Sequence, residues 1–260
     1  MTDPQGPRLQ DVELTSGAGG TPGLRGVLGI PPGPGPWPGV VLVHELFGID
    51  DVMRRQVQRM AAAGYLSLMP DLFTAGGVRR CLVPTFRAIA AGSGRAFVDV
   101  EAARTHLAAL PDCTGRIGVL GFCMGGGFAL LTAPRGFDVS SANYARLPED
   151  PDRALAGACP IVASYGGRDP ALRGTAAQLK GVLTRLGVPH DVREYPTAGH
   201  GFLDDADPGP RVLRPLLRRV LKFEPDPVAA ADAWTRIEAF FAEHLRDDAS
   251  AARDGDARGA

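Results

Sequence analysis

Two unbroken apolar runs constrain this chain more than anything else in it. Residues 39–43 read Gly-Val-Val-Leu-Val, and residues 117–122 read Ile-Gly-Val-Leu-Gly-Phe. A strand with one wet face alternates apolar and polar side chains, so runs without alternation predict strands covered on both faces, as in a parallel sheet. Further strand-like segments lie at 12–15, 24–30, 65–69, 158–164 and 191–195. Helical patterns fall between them at 51–63, 97–110, 125–131 and 171–186, with two more at 211–221 and 228–245. Gly64 and Gly187 stand where helices are expected to stop. This alternation predicts a single α/β domain over 1–246, a mostly parallel central sheet with helices on both faces. Residues 247–260 hold no apolar side chain larger than alanine and are expected to be disordered.

Composition removes several functional classes. Lys plus Arg number 28 against 29 for Asp plus Glu, with no basic stripe, which argues against a nucleic-acid partner. No apolar run approaches the ~18 residues of a membrane span, so no membrane partner is expected. The first twenty residues are polar and Gly-rich, unlike a secretory signal. Cys81, Cys113, Cys123 and Cys159 include no CxxC pair, which suggests neither a zinc site nor a disulfide framework. The expectation is a cytoplasmic protein, monomeric or weakly homo-oligomeric, with no metal and no cofactor.

The chemistry centres on Gly121-Phe122-Cys123-Met124-Gly125-Gly126-Gly127, which follows a buried strand and opens a helix. The spacing is G-x-C-x-G, the cysteine form of a nucleophile elbow. Its glycines allow a turn tight enough to hold residue 123 in strained geometry. The following helix then turns its positive end toward the sulfur and favours a thiolate. Taken alone, the stretch also fits a phosphate cradle, a redox-sensing thiol or a merely buried cysteine. Asp169 and His200 narrow the choice, because each lies just past a predicted strand, and nucleophile, acid, histidine is the chain order of α/β-hydrolases. His44-Glu45-Leu46-Phe47-Gly48 follows the first buried strand, on the loop that supplies an oxyanion-hole N–H in that topology. Leu46 and Met124 are the candidate donors. Glu45 reads either as an ordinary loop carboxylate at a helix entrance or as a charge aimed at Cys123 that opposes ionisation of the thiol until substrate arrives.

These blocks, with Pro70-Asp71-Leu72-Phe73, Gly167-Arg168-Asp169 and Ala198-Gly199-His200-Gly201-Phe202, resemble the dienelactone hydrolase family. The resemblance implies an α/β-hydrolase fold and cleavage of a small-molecule ester or lactone through a thioester on Cys123. It assigns proton transfer to His200, orientation of that imidazole to Asp169, and restraint of the resting thiol to Glu45. The chain departs from the family where well-characterised members carry a substrate-binding arginine soon after the Gly-His-x-Phe step. Leu203-Asp204-Asp205 stands there, read as a solvated loop. Arg79, Arg80 and Arg87 are the remaining candidates to bind a substrate anion. The alternative from another class is a ligand-binding protein that acylates once and does not turn over.

Overall fold

The computed structural model describes residues 6–246 except 208, 210, 211 and 213. β1 (Arg8–Leu14) and β2 (Leu24–Ile30) form an antiparallel pair at one sheet edge. β3 (Trp37–Val43), α1 (Asp51–Ala62) and β4 (Leu66–Pro70) make the first parallel crossover. Two helices, α2 (Gly77–Ala91) and α3 (Arg95–Ala108), lead into β5 (Cys113–Phe122). α4 (Met124–Thr132), β6 (Val139–Asn143) and the short α5 (Pro151–Ala154) follow. Then come β7 (Ile161–Gly166), α6 (Thr175–Arg185) and β8 (His190–Tyr195), with α7 (Arg214–Leu221) and α8 (Pro227–Leu245) closing the described chain.

The eight strands lie in the order β1-β2-β4-β3-β5-β6-β7-β8. β2 meets β4 antiparallel, and every pair from β4 onward is parallel. Val40 to Val43 are wholly buried, as their apolar run predicts. Helices cover both faces. On one, α3 packs against α4 through Phe97 and Phe128, whose ring centroids are 4.8 Å apart. On the other, α1 meets α8 where the Arg59 guanidinium sits 4.7 Å over the Trp234 ring. The caps of these last two helices are written in the sequence. Asp50 accepts the Met53 N–H at 3.0 Å, and Asp226, before Pro227, accepts the Ala229 N–H at 3.1 Å.

Several expectations change. β6, absent from the sequence reading, lies in the middle of the sheet between β5 and β7. α2, over a stretch where the sequence predicts no helix, runs through Pro84. The helix expected from 171 begins only at Thr175, because 171–174 form the turn that carries Asp169. The tail 247–260 and part of the stretch 211–213 lie outside the described residues. Among the described residues, no helix is long and apolar enough to cross a membrane.

Candidate active site

Four parallel strands deliver their carboxyl ends to one place: β3 brings Glu45 and Leu46, β5 brings Cys123, β7 brings Asp169 and β8 brings His200. This edge is where open α/β sheets bind ligands. Cys123 caps α4 with φ 53° and ψ -110°, a left-handed conformation that a residue with a side chain adopts only when its surroundings force it. The forcing is steric. A Cβ on Gly121 would strike the Gly125 carbonyl, and one on Gly125 would strike the Val43 carbonyl. The Cys123 N–H is tied to the Asn143 carbonyl at 3.0 Å, while its side chain stays partly exposed.

His200 is buried, with Nδ1 2.6 Å from Asp169 Oδ2. Asp169 is itself 1% exposed and accepts the Ala171 N–H on Oδ1 at 2.9 Å, so it is fixed before it fixes the imidazole. Nε2 of His200 has no hydrogen-bond partner in the resting protein. Burial alone would lower the imidazole pKa, but the adjacent Cys123 and Asp169 outweigh it and raise the value to about 10. Cys123 is therefore close enough to act on the His200 proton. The rings of Tyr144 and Phe223 flank His200, with centroids 5.1 and 5.2 Å away.

Glu45 is completely buried, and neither carboxyl oxygen has a partner. Burial, then Asp204, Cys123 and Asp50, push its pKa well above the carboxylate range. The same surroundings that raise Glu45 weaken the charge it would set against the thiol, because they favour its protonated form. His44 holds this loop in place. Its Nδ1 lies 2.7 Å from the Glu45 carbonyl, and Nε2 accepts the Leu72 N–H at 3.1 Å. An accepting Nε2 leaves the proton on Nδ1, which donates to Glu45, and burial keeps the ring neutral by lowering its pKa. The His44 and Pro70–Phe73 blocks are thereby one structural unit. The N–H groups of Leu46 and Met124 take part in none of the loop and cap hydrogen bonds, and Met124 opens α4.

The arginines fall elsewhere. Arg79, Arg80 and Arg87 are exposed on α2, and none is among the charges acting on Glu45, Asp204 or His200. Arg79 borders a cleft of about 720 Å³ shared with Phe47, Asp50, Asp207 and Arg214. Arg87 borders a different groove beside Thr85 and Asp99. The reading of Asp204-Asp205 as solvated holds for Asp205, which is exposed and paired with Arg55 at 2.6 Å. It fails for Asp204, which is 2% exposed beneath Gln56. Tyr144 was missed with β6. It follows that strand with φ 41°, buried, its hydroxyl without a partner. Among the described residues, no group of three or more His, Cys, Asp or Glu is placed to hold a metal.

The chain matches the model of the dienelactone hydrolase family over residues 24–245. It is 29% identical to a carboxymethylenebutenolidase of Rhodococcus opacus, over 79% of this chain and 81% of that one. With the carboxymethylenebutenolidase of Pseudomonas putida it shares 27% identity, over 68% and 80%. Among solved structures, a dienelactone hydrolase-like promiscuous phosphotriesterase from metagenomic libraries superposes with a TM-score of 0.72 at 23% identity, over 93% of this chain and 100% of the other. A dienelactone hydrolase from Anabaena variabilis gives 0.67 at 21%, with the same coverage. With this family match over most of its length, on an α/β-hydrolase fold, the chain belongs to the dienelactone hydrolase family and is a hydrolase.

Proposed function

We propose that this hydrolase cleaves small carboxylic esters or lactones through a thioester on Cys123. The observation that carries the reading is His200, clamped by Asp169 on one nitrogen and left with its other nitrogen free beside Cys123. In the first half-reaction the sulfur attacks the ester carbonyl carbon and a C–S bond forms. The oxyanion is received by the Leu46 and Met124 N–H groups, where fixed donors act most strongly. Collapse breaks the C–O bond, and the departing oxygen takes a proton from His200 Nε2. In the second half, Nε2 removes a proton from water, the hydroxide attacks the thioester, the C–S bond breaks and the acid leaves. Asp169 steadies the imidazolium in both halves. Glu45 in its protonated form adds no repulsion to a thiolate–imidazolium pair. None of Arg79, Arg80 and Arg87 is given a part in these steps, since the cleft that Arg79 borders beside Phe47 includes neither Cys123 nor His200.

The four cysteines are free, which suits a cytoplasmic thiol enzyme. Turnover of an aryl acetate is expected, and Cys123→Ala should lower kcat/KM by about a thousandfold or more. Equal rates from both proteins would sink the reading. An acyl adduct on Cys123 that forms once and never hydrolyses would instead identify a single-turnover binding protein.

A further inference from the structure

Beside the nucleophile the site holds a second set of polar groups that the mechanism leaves idle. Asp204 arrives from the loop after β8, Glu45 from the loop after β3 and Tyr144 from the end of β6. All three are buried. Asp204 Oδ1 accepts from Gln56 at 3.3 Å, but its Oδ2, both Glu45 oxygens and the Tyr144 hydroxyl have no partner. The three groups lie within electrostatic reach of one another, Glu45 and Tyr144 also of Cys123, and Asp204 of His200. Buried polar atoms in a folded interior are almost always satisfied. Four orphaned oxygens from three strand ends, gathered at one partly exposed sulfur, mark a place that a ligand completes.

We propose that Asp204 and Glu45 set the acyl specificity of this site, selecting an uncharged acyl group that carries a hydroxyl or amide and excluding one that carries a carboxylate. The inference rests on the ester-hydrolase reading above. Burial raises the pKa of Asp204 to about 8 and that of Glu45 well above the usual carboxylate range, which favours the protonated form of each at neutral pH. Neutral acids donate and accept at once, which matches a hydroxyl or an amide and offers an ammonium no charge to pair with. A carboxylate would surrender its water without gaining a counter-charge. The charges acting on Asp204 are Asp50, Asp205 and His200, and His200 is already committed to Asp169. Arg55, on the same side, is exposed and bound to Asp205 through two hydrogen bonds of 2.6 and 2.8 Å.

The test compares ethyl 3-hydroxybutyrate with monoethyl succinate at pH 7, following acid release by chromatography. The wild type should prefer the hydroxy ester in kcat/KM by about a hundredfold or more, and Asp204→Arg should narrow that ratio at least about tenfold by supplying a cation. Asp204→Leu, which keeps nearly the size but removes both donor and acceptor, should shift the ratio by about threefold or more, and decides the matter if the arginine variant does not fold. A wild-type ratio within about threefold of unity, with both activities abolished in Cys123→Ala, overturns the specificity and leaves the hydrolase reading standing. So does an unchanged ratio in folded Asp204→Leu. If neither ester nor the aryl acetate is turned over in a Cys123-dependent way, the hydrolase reading itself fails and takes this inference with it.

Discussion

Asp99 and Glu45 are carboxyl groups removed almost equally from water, at 1% and 0% exposure, yet they live in opposite surroundings. Asp99, on α3, accepts the Ser16 hydroxyl at 2.9 Å, the Thr21 N–H at 2.7 Å and the Thr21 hydroxyl at 2.6 Å. It pins the connection between β1 and β2 onto the helix layer. Glu45 accepts from nothing. Folding alone would retain the first arrangement and discard the second, because an unsatisfied buried polar group destabilises the native state. A protein that keeps an orphaned acid at the mouth of a strained turn gives up stability there for chemistry.

The contrast can be broken at either end. Asp99→Ala strips three donors of their acceptor and should lower unfolding free energy by about 2–4 kcal/mol. Specific activity per folded molecule should stay within about threefold, read from urea midpoints beside ester turnover. Glu45→Met should move the two quantities the other way, raising stability by up to about 1 kcal/mol while turnover of the hydroxy ester falls at least about tenfold. A stability loss in that variant comparable with Asp99→Ala would erase the distinction. The smallest effect concerns pH. Between about pH 4 and about 8 the folded protein holds the Asp204 proton that the unfolded chain has released. The folded state binds more protons there, so stability declines as pH rises through the window. Asp204→Asn should flatten that decline in midpoints measured at pH 5, 6 and 7. Glu45, displaced in the same direction, leaves a residual slope.

What the sequence discloses about this site follows from what kind of constraint each residue obeys. The elbow is legible because Gly121, Gly125 and Gly126 state a backbone geometry directly. Asp169 and His200 are legible because each follows a run with strand composition. β6 is not, because Val139-Ser140-Ser141-Ala142-Asn143 lacks the branched apolar side chains that advertise a central strand. Most of its polar side-chain groups find partners: Ser140 donates to the Ala129 carbonyl of α4 at 2.9 Å and Asn143 to Ser141 Oγ at 3.0 Å, although Asn143 Oδ1 has none. Polar residues so paired can lie mid-sheet, and Tyr144 is lost to the reader with them. α2 hides behind Gly77 and Pro84, residues that usually mark turns. For Asp204 and Asp205 composition offers no discrimination at all. Which of two adjacent aspartates turns inward is decided by Gln56 and Arg55, about 150 residues away in sequence.

The crowding around Cys123 also bears on how such an enzyme changes over generations. Positions 121, 125 and 126 are shut against carbonyls of their own turn, of β3 and of β6, whereas residue 123 stays partly exposed. The side chain at 123 is therefore the replaceable part and its mounting is not. Lineages descending from this scaffold can exchange sulfur for oxygen at one codon, but they inherit the bend unaltered.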